Sequence, residues 1–135
     1  MKVFLDTHVL VSSLTARGLC SELLESIFNE HDLLTCEPVL QEIKRILTNK
    51  FHLPSPLVRE YLNLLRTEGH VVTTQGKVNI KINDPDDIRI LSFVLPARPD
   101  VFVTGDQELL KLGNIGDVLI LSPRKFWLKL AGIES

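Results

Sequence analysis

Short apolar runs at residues 2–5, 33–36, 101–103 and 118–121 recur along the chain with helical patterning between them, and this alternation most limits what it can fold into. Each run is strand-length and rich in Val, Leu, Ile and Phe, as expected of strands covered on both faces. Between the first two, Cys20, Leu23, Leu24, Ile27 and Phe28 repeat at three- and four-residue spacing, the mark of an amphipathic helix. Pro38 suits the first turn of a second helix, with a stripe of Val39, Leu40, Ile43, Ile46 and Leu47. Ser55-Pro56 opens a third, carrying Leu57, Val58, Tyr61, Leu62 and Leu65. His70-Val71-Val72-Thr73 reads as a further strand, and Val78, Ile80 and Ile82 alternate as a strand would. Asp84-Pro85 is a strong helix start, with Asp as N-cap and Pro following, for a helix ending near Pro96. A short helix is expected over 107–112, and Ser122-Pro123 caps a last one with Phe126, Trp127 and Leu130.

Strands alternating with helices predict an α/β domain with a largely parallel sheet and right-handed crossovers. At 135 residues, with no repeat or linker, the chain is expected to form a single domain spanning 1–135. No apolar run approaches the ~18 residues of a membrane span. The apolar stretch Val3-Phe4-Leu5 stops at Asp6, too soon for a secretory signal. A cytoplasmic location without a membrane partner follows as an expectation. Two cysteines, Cys20 and Cys36, do not make a disulfide framework, and the four histidines show no zinc-type spacing. The formal net charge of −2 gives no global basic surplus. A local basic groove would have to come from Lys44, Arg45, Lys50, Arg59, Arg66, Arg124, Lys125 or Lys129, each of which also fits a solvated helix face.

In parallel α/β folds ligands bind beyond the carboxyl ends of the strands, so the acids there are informative. Asp6 directly follows the first run, and Asp106 lies just past Val101-Phe102-Val103. Asp84, Asp86 and Asp87 open the helix before that strand, and Glu42 borders the apolar stripe of the 38–47 helix. Most have an ordinary explanation: Asp84 and Asp106 as caps, Asp86 and Asp87 as first-turn acids favoured by the helix dipole, Glu42 as a solvated residue. Asp6 is harder to explain, because a carboxylate ending a buried strand is costly without a positive partner and none is near in sequence. Gathered in one crevice, such acids need a compensating cation, and oxygen-only ligands favour Mg²⁺ or Mn²⁺. The chemistry that follows is hydrolysis of phosphodiesters. By helical spacing Asp87 shares a side with Leu91 and Val94, whereas Asp86 lies with Ile90 and Phe93.

These landmarks, taken in order, resemble the PIN domains. They are Phe4-Leu5-Asp6-Thr7 with Val9-Leu10-Val11-Ser12, then Val39-Leu40-Gln41-Glu42-Ile43, then Asp84-Pro85-Asp86-Asp87. Val103-Thr104-Gly105-Asp106 with Leu109-Leu110 and Ile120-Leu121-Ser122-Pro123 through Phe126 complete the set, from Val3 to Leu130. Within the family the chain is similar to the toxin components of bacterial and archaeal toxin–antitoxin pairs. The resemblance implies a three-layer α/β/α sandwich on a five-stranded parallel sheet, with the first and fourth strands adjacent. It also implies Mg²⁺- or Mn²⁺-dependent cleavage of single-stranded RNA by Asp6, Glu42, Asp87 and Asp106. Thr7 and Thr104 would be supporting hydroxyls, and Asp86 would stand behind the quartet or act through water. It further implies a small antitoxin partner, and a homodimer through helices near 37–66 is expected. His8 departs from the family, which has mostly Asn there, replacing a neutral amide with a group that can carry charge or bind metal.

Two other α/β classes fit less well. A phospho-receiver needs an Asp after its third strand and a Lys after its fifth, where this chain has Thr73-Thr74 and Ser122-Pro123-Arg124. A haloacid-dehalogenase-type phosphatase begins with Asp-x-Asp, and His8 occupies the second position. The remaining alternative is a non-catalytic PIN scaffold that binds RNA or a partner.

Overall fold

The computed structural model describes residues 1–133. The strands are β1 (Lys2–Leu5), β2 (Asp32–Thr35), β3 (His70–Val71), β4 (Val101–Val103), β5 (Asn114–Ile115) and β6 (Val118–Leu121). They form one sheet in the order β3-β2-β1-β4-β6-β5. The helices are α1 (Thr7–Thr15), α2 (Leu19–Glu30), α3 (Glu37–Asn49), α4 (Ser55–Glu68), α5 (Pro85–Ala97), α6 (Gln107–Leu110) and α7 (Pro123–Leu130). They flank the sheet in the expected three-layer α/β/α arrangement.

Chain order runs outward from β1 to β3 and then returns to β4 on the other side of β1. The direction of winding therefore reverses between β1 and β4, which pair in parallel with Phe4 opposite Phe102 and Leu5 opposite Val103. Strand residues Val3, Phe4, Leu5, Val101, Phe102 and Val103 are all buried, with no alternation, because helices cover both faces. The Phe4 and Phe102 rings meet edge to face at 5.8 Å and lock the two central strands together. Around this centre α1 packs on α2 and α3, α2 also meets α7, and α3 meets α4 and α5.

The sheet has six strands rather than the five expected. The extra strand, β5, pairs antiparallel with β6 across a turn at Gly116-Asp117, where Gly116 has a φ of 56°. Two residues carry too little pattern to announce a strand. The alternation of Val78, Ile80 and Ile82 does not make a strand either. This segment is strapped along α5 and α6: Gly76 N donates to the Ser92 carbonyl at 2.8 Å, and Asn83 N to Glu108 Oε1 at 3.0 Å. Ile82 is buried all the same, so the apolar positions report packing without a ladder. Residues 72 and 73 also fall outside β3, which is shorter than the expected 70–73 strand.

Candidate active site

The cleft at the carboxyl ends of β1 and β4 is bounded by the starts of α1, α3, α5 and α6 and has a volume of about 430 Å³. Asp6, Glu42, Asp84, Asp86, Asp87 and Asp106 all line it, against one arginine, Arg89, and His8. One carboxylate oxygen from each of Asp84, Asp87 and Asp106 lies within 4.8 Å of the others.

Three of the acids hold helix ends. Asp6 precedes α1 and accepts from Thr7 N at 2.8 Å; Asp84 precedes α5 and accepts from Asp86 N at 2.9 Å. Asp106 precedes α6 and accepts from Leu109 N at 3.1 Å. In Asp84 and Asp106 the cap uses one oxygen and leaves the other without a donor among the described residues, so capping and cleft-facing roles coexist in one side chain. The positive ends of these helices, aimed at their own caps, offset part of the repulsion among the acids. The sequence marks Asp84 as a cap only, and the second oxygen of a cap residue beside Asp87 is the clue to its place in the cluster.

Thr104 joins the two central strands at the site. Its hydroxyl donates to Asp6 Oδ2 at 2.6 Å and its oxygen accepts from Asp106 N at 3.1 Å. Burial pushes the Asp6 carboxyl above its ordinary range, opposed by the Thr104 and Thr7 hydrogen bonds and by the charge of His8. Thr7 contributes its backbone N–H, while its buried hydroxyl has no partner among the described residues.

Asp87 has none of these compensations. It sits on the buried face of α5 with Leu91 and Val94, and only 7% of its surface is exposed. Its Oδ2 is buried with no hydrogen-bond partner among the described residues. Burial first, then the neighbouring Asp106 carboxyl and the charges of Asp84 and Asp6, push its carboxyl up to about 7. A buried carboxylate with an oxygen that has no donor, gathered with two other carboxylates, fits a divalent cation, whose charge would satisfy all three.

The other expected residues stand further out. Asp86 is exposed and lines the cleft rim without joining the three-acid group. His8 is exposed at the rim. Glu42 faces the cleft from α3, but both its oxygens are taken by the Arg45 guanidinium on the same helix.

A profile of the PIN domain matches residues 2–108. The chain therefore belongs to the PIN domain family, whose members are generally nucleases. Its fold is also similar to that in the crystal structure of VapBC2 from Rickettsia felis bound to a DNA fragment from their promoter. That match has a TM-score of 0.64 and 13% sequence identity, and it covers 89% of this chain and 97% of the other. No curated protein sequence matches the chain. Among the described residues no helix is long and apolar enough to cross a membrane.

Proposed function

We propose that the protein is a Mg²⁺- or Mn²⁺-dependent endoribonuclease that cleaves single-stranded RNA, serving as the toxin of a type II toxin–antitoxin pair. The observation that carries the reading is the meeting of Asp84, Asp87 and Asp106 within 4.8 Å, with an unpartnered buried oxygen on Asp87. Asp87, Asp106 and Asp6 would hold the ion, with Asp84 beside them and Glu42 reaching it once released from Arg45. When bound, a divalent ion polarises the phosphate and lowers the pKa of an attacking water. The chain's own part is to fix geometry. Thr104 and the Thr7 N–H hold the Asp6 carboxylate in one orientation, and the Leu109 N–H holds Asp106. Cytoplasmic action and a small antitoxin that covers the acidic cleft belong to the same reading, supported by the similarity to a VapBC2 structure. Exposed Phe51 and Leu64 give the α3–α4 region an apolar surface suited to the homodimer.

The purified protein is expected to cleave single-stranded RNA with Mn²⁺ and to stop when EDTA is added. Asp6→Asn should remove the activity without unfolding the chain, as followed by circular dichroism. Cleavage that survives EDTA, or full activity in Asp6→Asn, would contradict the metal-dependent reading. Binding of RNA or partner without cleavage in Mn²⁺ would favour the non-catalytic scaffold.

Capping and ion binding by Asp84 can be separated. Asn caps a helix as well as Asp, whereas Ala does not. Asp84→Ala is expected to cost ~0.5–2 kcal/mol of stability. Asp84→Asn should leave stability nearly unchanged and still weaken Mn²⁺ binding in a calorimetric titration. Equal Mn²⁺ affinity in Asp84→Asn and the native chain would reduce Asp84 to a cap.

A further inference from the structure

A second groove, of about 440 Å³, continues from the acidic cleft across the exposed side of α3, and the two share Pro38, Glu42 and Arg89. Its character is opposite. The cleft presents six acids and one arginine, whereas the groove presents Lys44, Arg45 and Arg89 against Glu42 alone. Gln41, Lys44, Arg45 and Thr48 also line the groove. Their spacing of three, four and seven places them in one stripe along α3, a line of hydrogen-bond donors roughly 10 Å long at 1.5 Å rise per residue.

The residues at the seam set its direction. Arg45 ties up Glu42, the groove's one acid, and also feels the charge of Asp86 on the cleft rim. Lys44 and Arg89 are exposed and make no salt bridge among the described residues. Arg66 and Arg98, by contrast, are paired with Glu37 and Asp117, and the remaining lysines and arginines of the described residues line neither the cleft nor this groove. The groove therefore gathers unpaired positive charge beside the cleft in a chain whose net charge is −2.

We propose that this groove binds the phosphodiester backbone of single-stranded RNA on one side of the cleavage point, with Arg89 and Lys44 contacting successive phosphates. The proposal rests on the ribonuclease reading for its substrate. A polyanion bound at the acidic cleft needs its flanking charge met outside it, and a shallow line of Arg, Lys and amide donors suits a sugar-phosphate backbone without selecting bases. Arginine's planar fork matches a phosphate bidentately, which makes Arg89, at the junction, the firmest contact.

The test uses the full chain and a fluorescein-labelled 12-nucleotide oligo-uridine RNA, with binding read by anisotropy in EDTA, where no cleavage is expected. The Lys44→Ala/Arg89→Ala double variant should bind about tenfold more weakly. Its slope of log affinity against log salt should be shallower by about 0.7 for each phosphate that the variant no longer neutralises. Both side chains are exposed, so thermal melting should match the native chain. Lys2→Ala, at the opposite end of β1, should bind as the native chain does. In Mn²⁺ the double variant should raise KM with kcat little changed, the mark of lost uniform binding. An unchanged affinity and salt slope would overturn the proposal even if the protein cleaves RNA. So would a double variant that binds RNA normally but loses affinity for a poly-glutamate peptide, which would make the groove a protein-docking site. Groove-dependent RNA binding without Mn²⁺-dependent cleavage would support the groove and remove the ribonuclease reading.

Discussion

Asp87→Asn is expected to lower RNA cleavage about a thousandfold or more while making the metal-free protein harder to unfold. The two effects share one cause. Asp87 is buried against other acids, so its carboxyl titrates at about 7 in the folded chain, against roughly 4 when unfolded. A raised folded value means that the folded chain holds this proton more tightly. The group therefore favours folding fully below about pH 4, and that contribution is lost as the pH rises through 7. Above pH 7 the folded protein carries a buried, repelled carboxylate. Asparagine is neutral throughout and removes that burden. The melting temperature in EDTA should rise by about 5 °C at pH 8 and hardly change at pH 4. With Mn²⁺ present the native chain should regain stability that Asp87→Asn cannot, because a ligand bound only to the folded state shifts the equilibrium. A gain equal at both pH values, or cleavage within tenfold of native, would contradict this account.

Phe102→Ala should be the most damaging single change to stability, at about 3–5 kcal/mol. Phe102 is fully buried in β4, between β1 and β6, with its ring against Phe4. Its removal leaves a void between strands whose neighbours are already close-packed, in a domain whose total stability is expected to be about 5–15 kcal/mol. The loss should reach the site as well, because Thr104 and Asp106 follow two and four positions later. Urea unfolding should show a lower midpoint at unchanged slope, and Phe102→Leu should lose less than half as much. A cost under about 1 kcal/mol for Phe102→Ala would mean that β4 is not the centre of the core.

Much of this is legible in the sequence because its signals are local and repeated. The apolar runs at β1, β4 and β6 and the stripes of α2, α3 and α4 reflect burial repeated along each element. Asp84-Pro85 announces α5 through cap chemistry alone. Signals fail where one interaction decides the outcome. In α1 the buried set of Val9, Leu10, Val11 and Ser13 mixes β-branched residues with no clear polar face, so the pattern does not announce a helix. In 78–82 the alternation is real, but the flanking Gly76 and Asn83 N–H groups bond to α5 and α6, and among the described residues no neighbouring strand pairs with the segment. At the site, residue type and order point to the acids. Only side-chain geometry distinguishes Asp84, whose carboxylate comes within 4.8 Å of Asp87 and Asp106, from Glu42, which Arg45 holds aside.

The hydrogen bond from Thr104 to Asp6 joins residues separated by 98 positions. The acids come from the first strand, the helix entering the fourth and the turn leaving it, so no short stretch of newly made chain contains the cluster. Until β4 has emerged and paired with β1, the chain carries scattered, individually harmless carboxylates. The last event in building the sheet's centre is also the first moment at which these acids stand together in one cleft. For a cell making such a protein on its own ribosomes, the complete acidic cluster is withheld until translation has passed the fourth strand.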